Sequence, residues 1–342
     1  MREQDAVSLA TVSISEKTRY HSMVDWVASK LGEVTITPIV GDLSFRRYFR
    51  VSTSTATFIL MDAPADVESS EPFIKIGQAL REQGVRTPFI HHHDCFRGFL
   101  LLEDFGDKLL LPILNAENAT SLYQKVLDSV FSLSRCDRVS GYDVPKFTRE
   151  RYLAELAWFE QWYLAHFVKV TLTQSQKNTL YDMYELIIES ALSQPEVLVH
   201  KDMHARNLML LGDGDIGVID FQDALRGPVT YDVMSLTYDH YIAWPYASIR
   251  DWVRYYYDKL DQSSDMTLPH FDEFMRWHDW LALQRIMKNL GNFVRAHVSL
   301  NKSRYLSDIP RIYQYIIDIT SRYPALKPLQ LLLNEWHPAR VK

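Results

Sequence analysis

The feature that most constrains this chain is a change of hydrophobic period about a third of the way along it. Residues 34–62 break into three runs of strand character, VTITPIV, FRRYFRVS and TFILMDA, separated by the turn-like GDLS and TSTA. A helical opening over His21–Leu31 precedes them, and a helix from Pro72 to Gln83 follows, with Ser70 as N-cap and Gly84 as its stop. Two more short strands, around PFIHHH and GFLLLED, complete a five-stranded antiparallel sheet carrying one helix. Beyond Leu109 the apolar spacing lengthens to the helical period, over residues 117–134, 149–166, 174–193 and 271–297. One β-rich island, 197–224, interrupts the helices, with LMLL and IGVID flanking GDGD as a hairpin. The pattern predicts an α+β chain of two lobes: a small N-lobe over 1–103, a hinge at 104–107 (EDFGD) and a larger, mainly α-helical C-lobe over 108–342.

With 342 residues, 47% of them apolar, the chain has material for two cores. The charge balance of 37 Lys and Arg against 43 Asp and Glu gives −6, with no block of like charge. Neither nucleic acid nor a membrane surface is an expected partner. Cys95 and Cys136 are too few for a disulfide framework and lack C-x-x-C spacing, which suits a reducing compartment. No apolar run approaches the about 20 residues of a membrane span. A cytoplasmic protein is the expectation.

Chemistry concentrates in the island. His200, Asp202 and Asn207 stand in the spacing H-x-D-x-x-x-x-N, and thirteen residues after Asn207, Asp220 ends a strand. Phosphoryl transfer calls for such a set: a carboxylate (Asp202) to take the proton of an acceptor hydroxyl, and hard oxygen ligands (Asn207, Asp220) for Mg2+. His200 then orients the loop. Turn formation by Asp202 and Asn207 and capping by Asp220 would explain each residue singly, but not the set. A metal pair from His200 and His204 fits less well, because H-E-x-x-H needs a helix and a glutamate where Lys201 stands. His91, His92 and His93 alternate across a strand and do not converge on one ion. Upstream, GDLSFRR (41–47) joins two strands as a phosphate loop, with Ser44 and Phe45 in it and Arg46 or Arg47 as its positive charge.

These residues resemble the aminoglycoside phosphotransferase and choline kinase-like family, relatives of protein kinases that act on small hydroxyl compounds. LVHKDMHARNLM and IDFQDA carry the superfamily resemblance. GDLSFRRYFRV, FILMDAP, GFLLLEDFGD and GVIDFQDALRGPVTYDVMSL are similar to its branch of bacterial cell-wall sugar kinases. The resemblance implies a protein-kinase-like bilobal fold, ATP and Mg2+ as cofactors, and a small-molecule sugar as substrate, phosphorylated at the anomeric hydroxyl of N-acetylmuramate or N-acetylglucosamine. It implies that the backbone of Glu103, Asp104 and Phe105 pairs with adenine. Asp232 then supports the catalytic loop from a helix start, and Asp223 faces the sugar or the metal-bound phosphate. An aminoglycoside, a choline-like amine, or an inactive nucleotide-binding scaffold are the other readings.

One departure stands out: protein kinases carry a phosphate-binding lysine on the third strand, where this chain has Met61. Arg46 and Arg47 are the candidates to replace it. In the long helix 271–297, Arg285, Lys288, Asn292 and Arg295 recur at intervals of three and four and so share a face. That face either meets an acceptor carboxylate or is a solvated, salt-bridged surface.

Overall fold

The computed structural model describes residues 14–39, 46–64, 66 and 68–336. Its residues fall into two compact units, Met1–Gly77 with Pro88–Gly106, and Gln78–Thr87 with Asp107–Lys342.

In the first unit, helix α1 (Ile14–Leu31) begins earlier than expected. Its first turns, ISEKTRYHS, carry few apolar residues, so a periodic signal starts only at Met23. Met23, Trp26 and Val27 then pack on Phe49, Val51, Leu60, Phe99 and Leu101. These belong to one antiparallel sheet of β1 (Thr35–Ile39), β2 (Arg47–Ser52), β3 (Thr57–Asp62), β4 (Ile90–Asp94) and β5 (Phe99–Glu103), in the order β1-β2-β3-β5-β4. Five antiparallel strands were expected and five are found. The ends of two of them, Val40 and Phe45, lie outside the described residues, as do residues 41–44 of the loop between.

Register fixes the faces. Phe49 pairs with Leu60, Tyr48 with Met61 and Arg47 with Asp62. Successive side chains alternate, so Arg47, Phe49, Leu60 and Asp62 face α1 while Tyr48 and Met61 face away. The histidine run lies on β4, at the sheet edge, where the register shifts at His91: Ile90 pairs with Leu102 and His92 with Leu101, so the regular alternation expected of the run is interrupted by a bulge.

Helix α2 (Glu71–Glu82) ends at Gly84, whose φ of +83° permits the closing bond from Val85 N–H to the Leu80 carbonyl, 2.9 Å. Its cap differs from expectation. The Ser70 carbonyl accepts from Ile74 N–H, but the Ser70 hydroxyl is buried without a partner. Ser69 supplies the cap instead, its Oγ accepting from Glu71 N–H at 3.1 Å.

The second unit is mainly helical: α3 (Ala119–Ser134), α4 (Arg149–Trp158), α5 (Gln174–Leu192), α6 (Tyr231–Thr237), α7 (Tyr246–Ser263), α8 (Phe271–Leu300), α9 (Ile309–Arg322) and α10 (Lys327–Glu335). The helix expected over 149–166 is α-helical only to Trp158 and continues as a π-helical stretch, Phe159–Val168. The expected hairpin forms from β7 (Leu208–Leu210) and β8 (Ile216–Val218). A second pair, β6 (Glu196–Val199) with β9 (Leu225–Pro228), extends the island beyond residue 224. LRGP reads locally as a loop, and its pairing with β6 makes it a strand.

Helix α8 is the axis of this unit. Every residue from Trp277 to Lys288 is buried, so Arg285 and Lys288 do not face solvent, while Asn292 and Arg295 are partly exposed. A Cβ on Gly291 would stand 2.3 Å from the Trp158 carbonyl, which fixes how closely α8 meets the end of α4. Asp279 accepts hydrogen bonds from the hydroxyls of Tyr238 (3.1 Å), Tyr246 (3.1 Å) and Tyr323 (2.9 Å), binding α8 to its neighbours.

Candidate active site

The loop after β6 is shaped by carboxylates it does not itself contain. Asp232, in the first turn of α6, accepts the backbone N–H of His200 at 2.7 Å and of Lys201 at 3.0 Å. Lys201 has a φ of +79°, unfavourable for a side-chain-bearing residue, and the Asp232 bonds hold it there. Asp239 does the same further along, its Oδ2 accepting Ala205 N–H at 2.9 Å. The sequence reading named Asp232 and missed Asp239, which lies two residues beyond the end of α6, where helical spacing gives no signal.

His200 is fully buried. Its Nδ1 accepts from Asp202 N–H at 3.3 Å, which puts the ring proton on Nε2, 2.9 Å from the Ile219 carbonyl. Both nitrogens are thus engaged with backbone, one on each side of the site, and neither is free for a metal.

Asn207 joins the parts. Its Nδ2 donates to the Asp202 carbonyl at 3.0 Å and to Asp220 Oδ2 at 3.3 Å, leaving the amide oxygen as its ligand atom. Asp220 lies just past β8 with a φ of +64°, exposed, its other oxygen accepting from Gln222 Nε2 at 2.7 Å. The Gln222 Oε1 is buried without a partner. Among the described residues no three His, Cys, Asp or Glu side chains group as a metal site. Two oxygen ligands from Asn207 and Asp220 suit Mg2+, which keeps waters and phosphate oxygens in the rest of its shell. Asp223 is exposed on the turn beyond.

The Asp202 carboxylate is 36% exposed and accepts from Arg285 Nη2 at 3.2 Å. Burial by itself raises an acid, but the charges of Arg285 and Lys288 outweigh it and hold Asp202 well below the usual carboxylate range. Asp232 is the opposite case: burial pushes it up to about 6 despite the amides it accepts.

Of the four polar residues on the α8 face, Arg285 and Lys288 reach this site. Lys288 Nζ is 3.8 Å from Glu155 on α4, and burial lowers its pKa against the opposing pull of Glu155 and Asp202. Glu155 also accepts from Gln284 Nε2 at 3.0 Å and is 3.7 Å from Arg151. Arg285 Nε and Gln284 Oε1 on α8, and the hydroxyls of Tyr152 on α4 and Tyr231 on α6, are buried without partners. Arg295 turns elsewhere, donating to Asn292 Oδ1 at 3.0 Å and stacking on Trp158. Glu155 and Gln284 escaped the sequence reading because nothing in RERYLAELAW or WHDWLALQR distinguishes them locally.

In the first unit, Ser44 and Phe45 lie outside the described residues. Arg46 pairs with Glu68 at 2.5 Å and Arg47 with Asp62 at 2.5 Å. Glu103 exchanges both its N–H (2.8 Å) and its carboxylate (3.1 Å) with the Phe89 backbone. Asp104 takes Arg50 at 2.8 Å and Gly106 N–H at 2.8 Å, and Phe105 is half-buried.

Comparison with known proteins agrees with this geometry. The profile of the phosphotransferase enzyme family matches residues 35–285. An N-acetylmuramate/N-acetylglucosamine kinase of Pseudomonas putida is 38% identical over 307 residues, 89% of this chain and 90% of that protein. The enzyme of the same name from Neisseria meningitidis is 35% identical over 304 residues, 88% of this chain and 90% of its own. Among solved structures, ADP-bound aminoglycoside phosphotransferase APH(2'')-Ib superposes with a TM-score of 0.59 at 13% identity, covering 86% of this chain and 97% of that one. Choline kinase LicA from Streptococcus pneumoniae superposes at 0.61 and 11%, covering 87% and 99%. At such identities these two structures speak for the fold alone, which is the protein-kinase-like one expected.

Proposed function

The chain belongs to the phosphotransferase enzyme family, and from that premise we propose that it transfers the γ-phosphoryl group of ATP to the anomeric hydroxyl of N-acetylmuramate and N-acetylglucosamine. The observation that carries the reading is the Asn207 amide, which donates to the Asp202 backbone carbonyl at 3.0 Å and to the Asp220 carboxylate at 3.3 Å and so ties the loop to the metal candidate. The two curated relatives supply the acceptor.

Asp202 accepts the hydroxyl proton. Because it stays ionised and weakly basic, its main work is to orient the attacking oxygen, with proton transfer late, as a loose phosphoryl transition state allows. His200 and Asp232 keep the loop in shape for that task. The Asn207 amide oxygen and Asp220 hold Mg2+, which when bound neutralises phosphate charge. The backbone of Glu103–Phe105 pairs with adenine. The Glu103 N–H is already taken by the Phe89 carbonyl.

Arg285 and Lys288 face the acceptor, and Asp223 stands on its rim. Arg285 and Lys288 are buried cations next to Asp202 and Glu155. An acceptor carboxylate, such as the lactyl group of N-acetylmuramate, can pair with them, whereas a polycationic aminoglycoside would meet like charge. Use of ATP and of recycled wall sugars belongs to a cytoplasmic enzyme.

The test is a panel of acceptors incubated with Mg·ATP and followed by phosphorus NMR. Sugar 1-phosphates from both amino sugars are expected. Phosphorylation of an aminoglycoside or choline, with these sugars untouched, would transfer the fold to another substrate class. Consumption of ATP with none of them, despite binding, would favour a scaffold.

A further inference from the structure

Kinases hold the α- and β-phosphates with a third-strand lysine that is itself paired to a glutamate of the following helix. In this chain the third strand carries Met61, fully buried, and two neighbouring arginines compete to replace the lysine.

The sheet separates the two. Arg47 is opposite Asp62 in register, on the α1 face, and donates Nε (3.0 Å) and Nη2 (2.5 Å) to Asp62 Oδ2. Arg19 of α1 donates Nε (2.9 Å) and Nη2 (2.5 Å) to the other oxygen. Asp62 has no exposure at all and satisfies both guanidinium forks from within the sheet-to-α1 layer. Arg46, one residue earlier, stands just ahead of β2 and makes a different pair from that of Arg47. Its side chain is 6% exposed and its Nη2 donates at 2.5 Å to Glu68, which stands three residues ahead of α2. A permanent cation at the start of β2, held by a carboxylate at the entrance to the next helix, reproduces the lysine–glutamate pair with different residues.

We propose that Arg46, held by Glu68, is the cation that meets the nucleotide's α- and β-phosphates in place of a third-strand lysine, while Arg47 is structural. This deepens the kinase reading and rests on it. The guanidinium makes no bond to the transferred group; it neutralises and orients the phosphates left behind.

Calorimetric titration of the full chain with Mg·ATP and, separately, with adenosine tests it. Arg46→Gln is expected to weaken ATP binding about tenfold or more, with adenosine within about twofold, because only ATP carries the phosphates. Arg46→Lys recovers most of the loss, and Arg47→Gln leaves the ratio of ATP to adenosine affinity as in the wild type. The inference is overturned if Arg46→Gln binds ATP like the wild type, if ATP and adenosine weaken together, or if the selective loss appears in Arg47→Gln. Should Arg46→Gln fail to fold, Glu68→Gln examines the same point: a selective loss of ATP supports the assignment and an unchanged ATP affinity ends it. A wild-type protein that binds no ATP would remove the kinase reading itself, a result distinct from all of these.

Discussion

Asp202 and Arg285 form an ion pair of 3.2 Å whose partners differ in exposure, the guanidinium at 3% and the carboxylate at 36%. The cation is fixed in helix α8, and the carboxylate keeps an open side on which a hydroxyl can sit. Asp202→Asn keeps the shape, removes the charge, and is expected to lower kcat by about 10²–10⁴-fold. A half-open pair contributes at most about 1 kcal/mol to stability, so the melting temperature should barely move. Steady-state kinetics with calorimetry checks both; a variant of near wild-type kcat would remove Asp202 from the role of base.

Acid inactivation should trace to Asp232, not to Asp202. Asp202 is depressed, so what it contributes to stability is present above its unfolded pKa of about 3.9 and is lost only as the pH falls further. Asp232 is raised to about 6. Proton uptake there favours the fold below the unfolded value and that gain is lost as the pH rises through about 6. Its ionised form, however, is the one that accepts the His200 and Lys201 amides. The kcat profile should therefore fall on the acid side with a midpoint near 6, and that limb should be missing or displaced in Asp232→Asn. A limb unchanged by the substitution would assign it to another group.

Acceptor choice should respond to the pair of Lys288 and Glu155. N-acetylmuramate carries a carboxylate and N-acetylglucosamine does not. Lys288→Met is expected to lower kcat/KM for the acidic sugar about tenfold or more, in line with a charged hydrogen bond, and to change the neutral sugar far less. Glu155→Gln should tilt preference toward the acidic sugar. Equal losses for both sugars in Lys288→Met would show that the lysine supports the fold and not the choice.

Gly291→Ala tests the contact between α8 and α4. The added methyl meets the Trp158 carbonyl at 2.3 Å, a backbone atom that cannot step aside. Overpacking of this kind costs about 1–3 kcal/mol, enough to lower the melting temperature of a chain this long by about 1–4 °C. Thermal denaturation that superimposes on the wild type would mean the helices part freely there.

Much of this was legible in the residues themselves. The candidate catalytic loop announced itself because Asp202, Asn207 and Asp220 sit on one continuous stretch, where spacing is geometry. The five strands were legible because alternation is local. What escaped depends on distant chain segments: Glu155 acts because α4 lies beside α8, β9 exists because β6 pairs with it, and the Ser69 cap replaces the Ser70 side chain because the latter is drawn inward. The face of Arg285 and Lys288 was visible as periodicity, but periodicity does not say whether a face meets water or a core.

The burial of the middle of α8, Trp277–Lys288, on every side bears on how such an enzyme changes its preferences. Arg285 and Lys288 share a rod with Asp279, the anchor for three tyrosine hydroxyls, and with Gly291, which tolerates no side chain. Mutations on that rod disturb the scaffold along with the proposed substrate contact. Helix α4, which brings Glu155 from the other side, is the freer surface, so divergence toward new acceptors, in nature or by directed evolution, should accumulate there first.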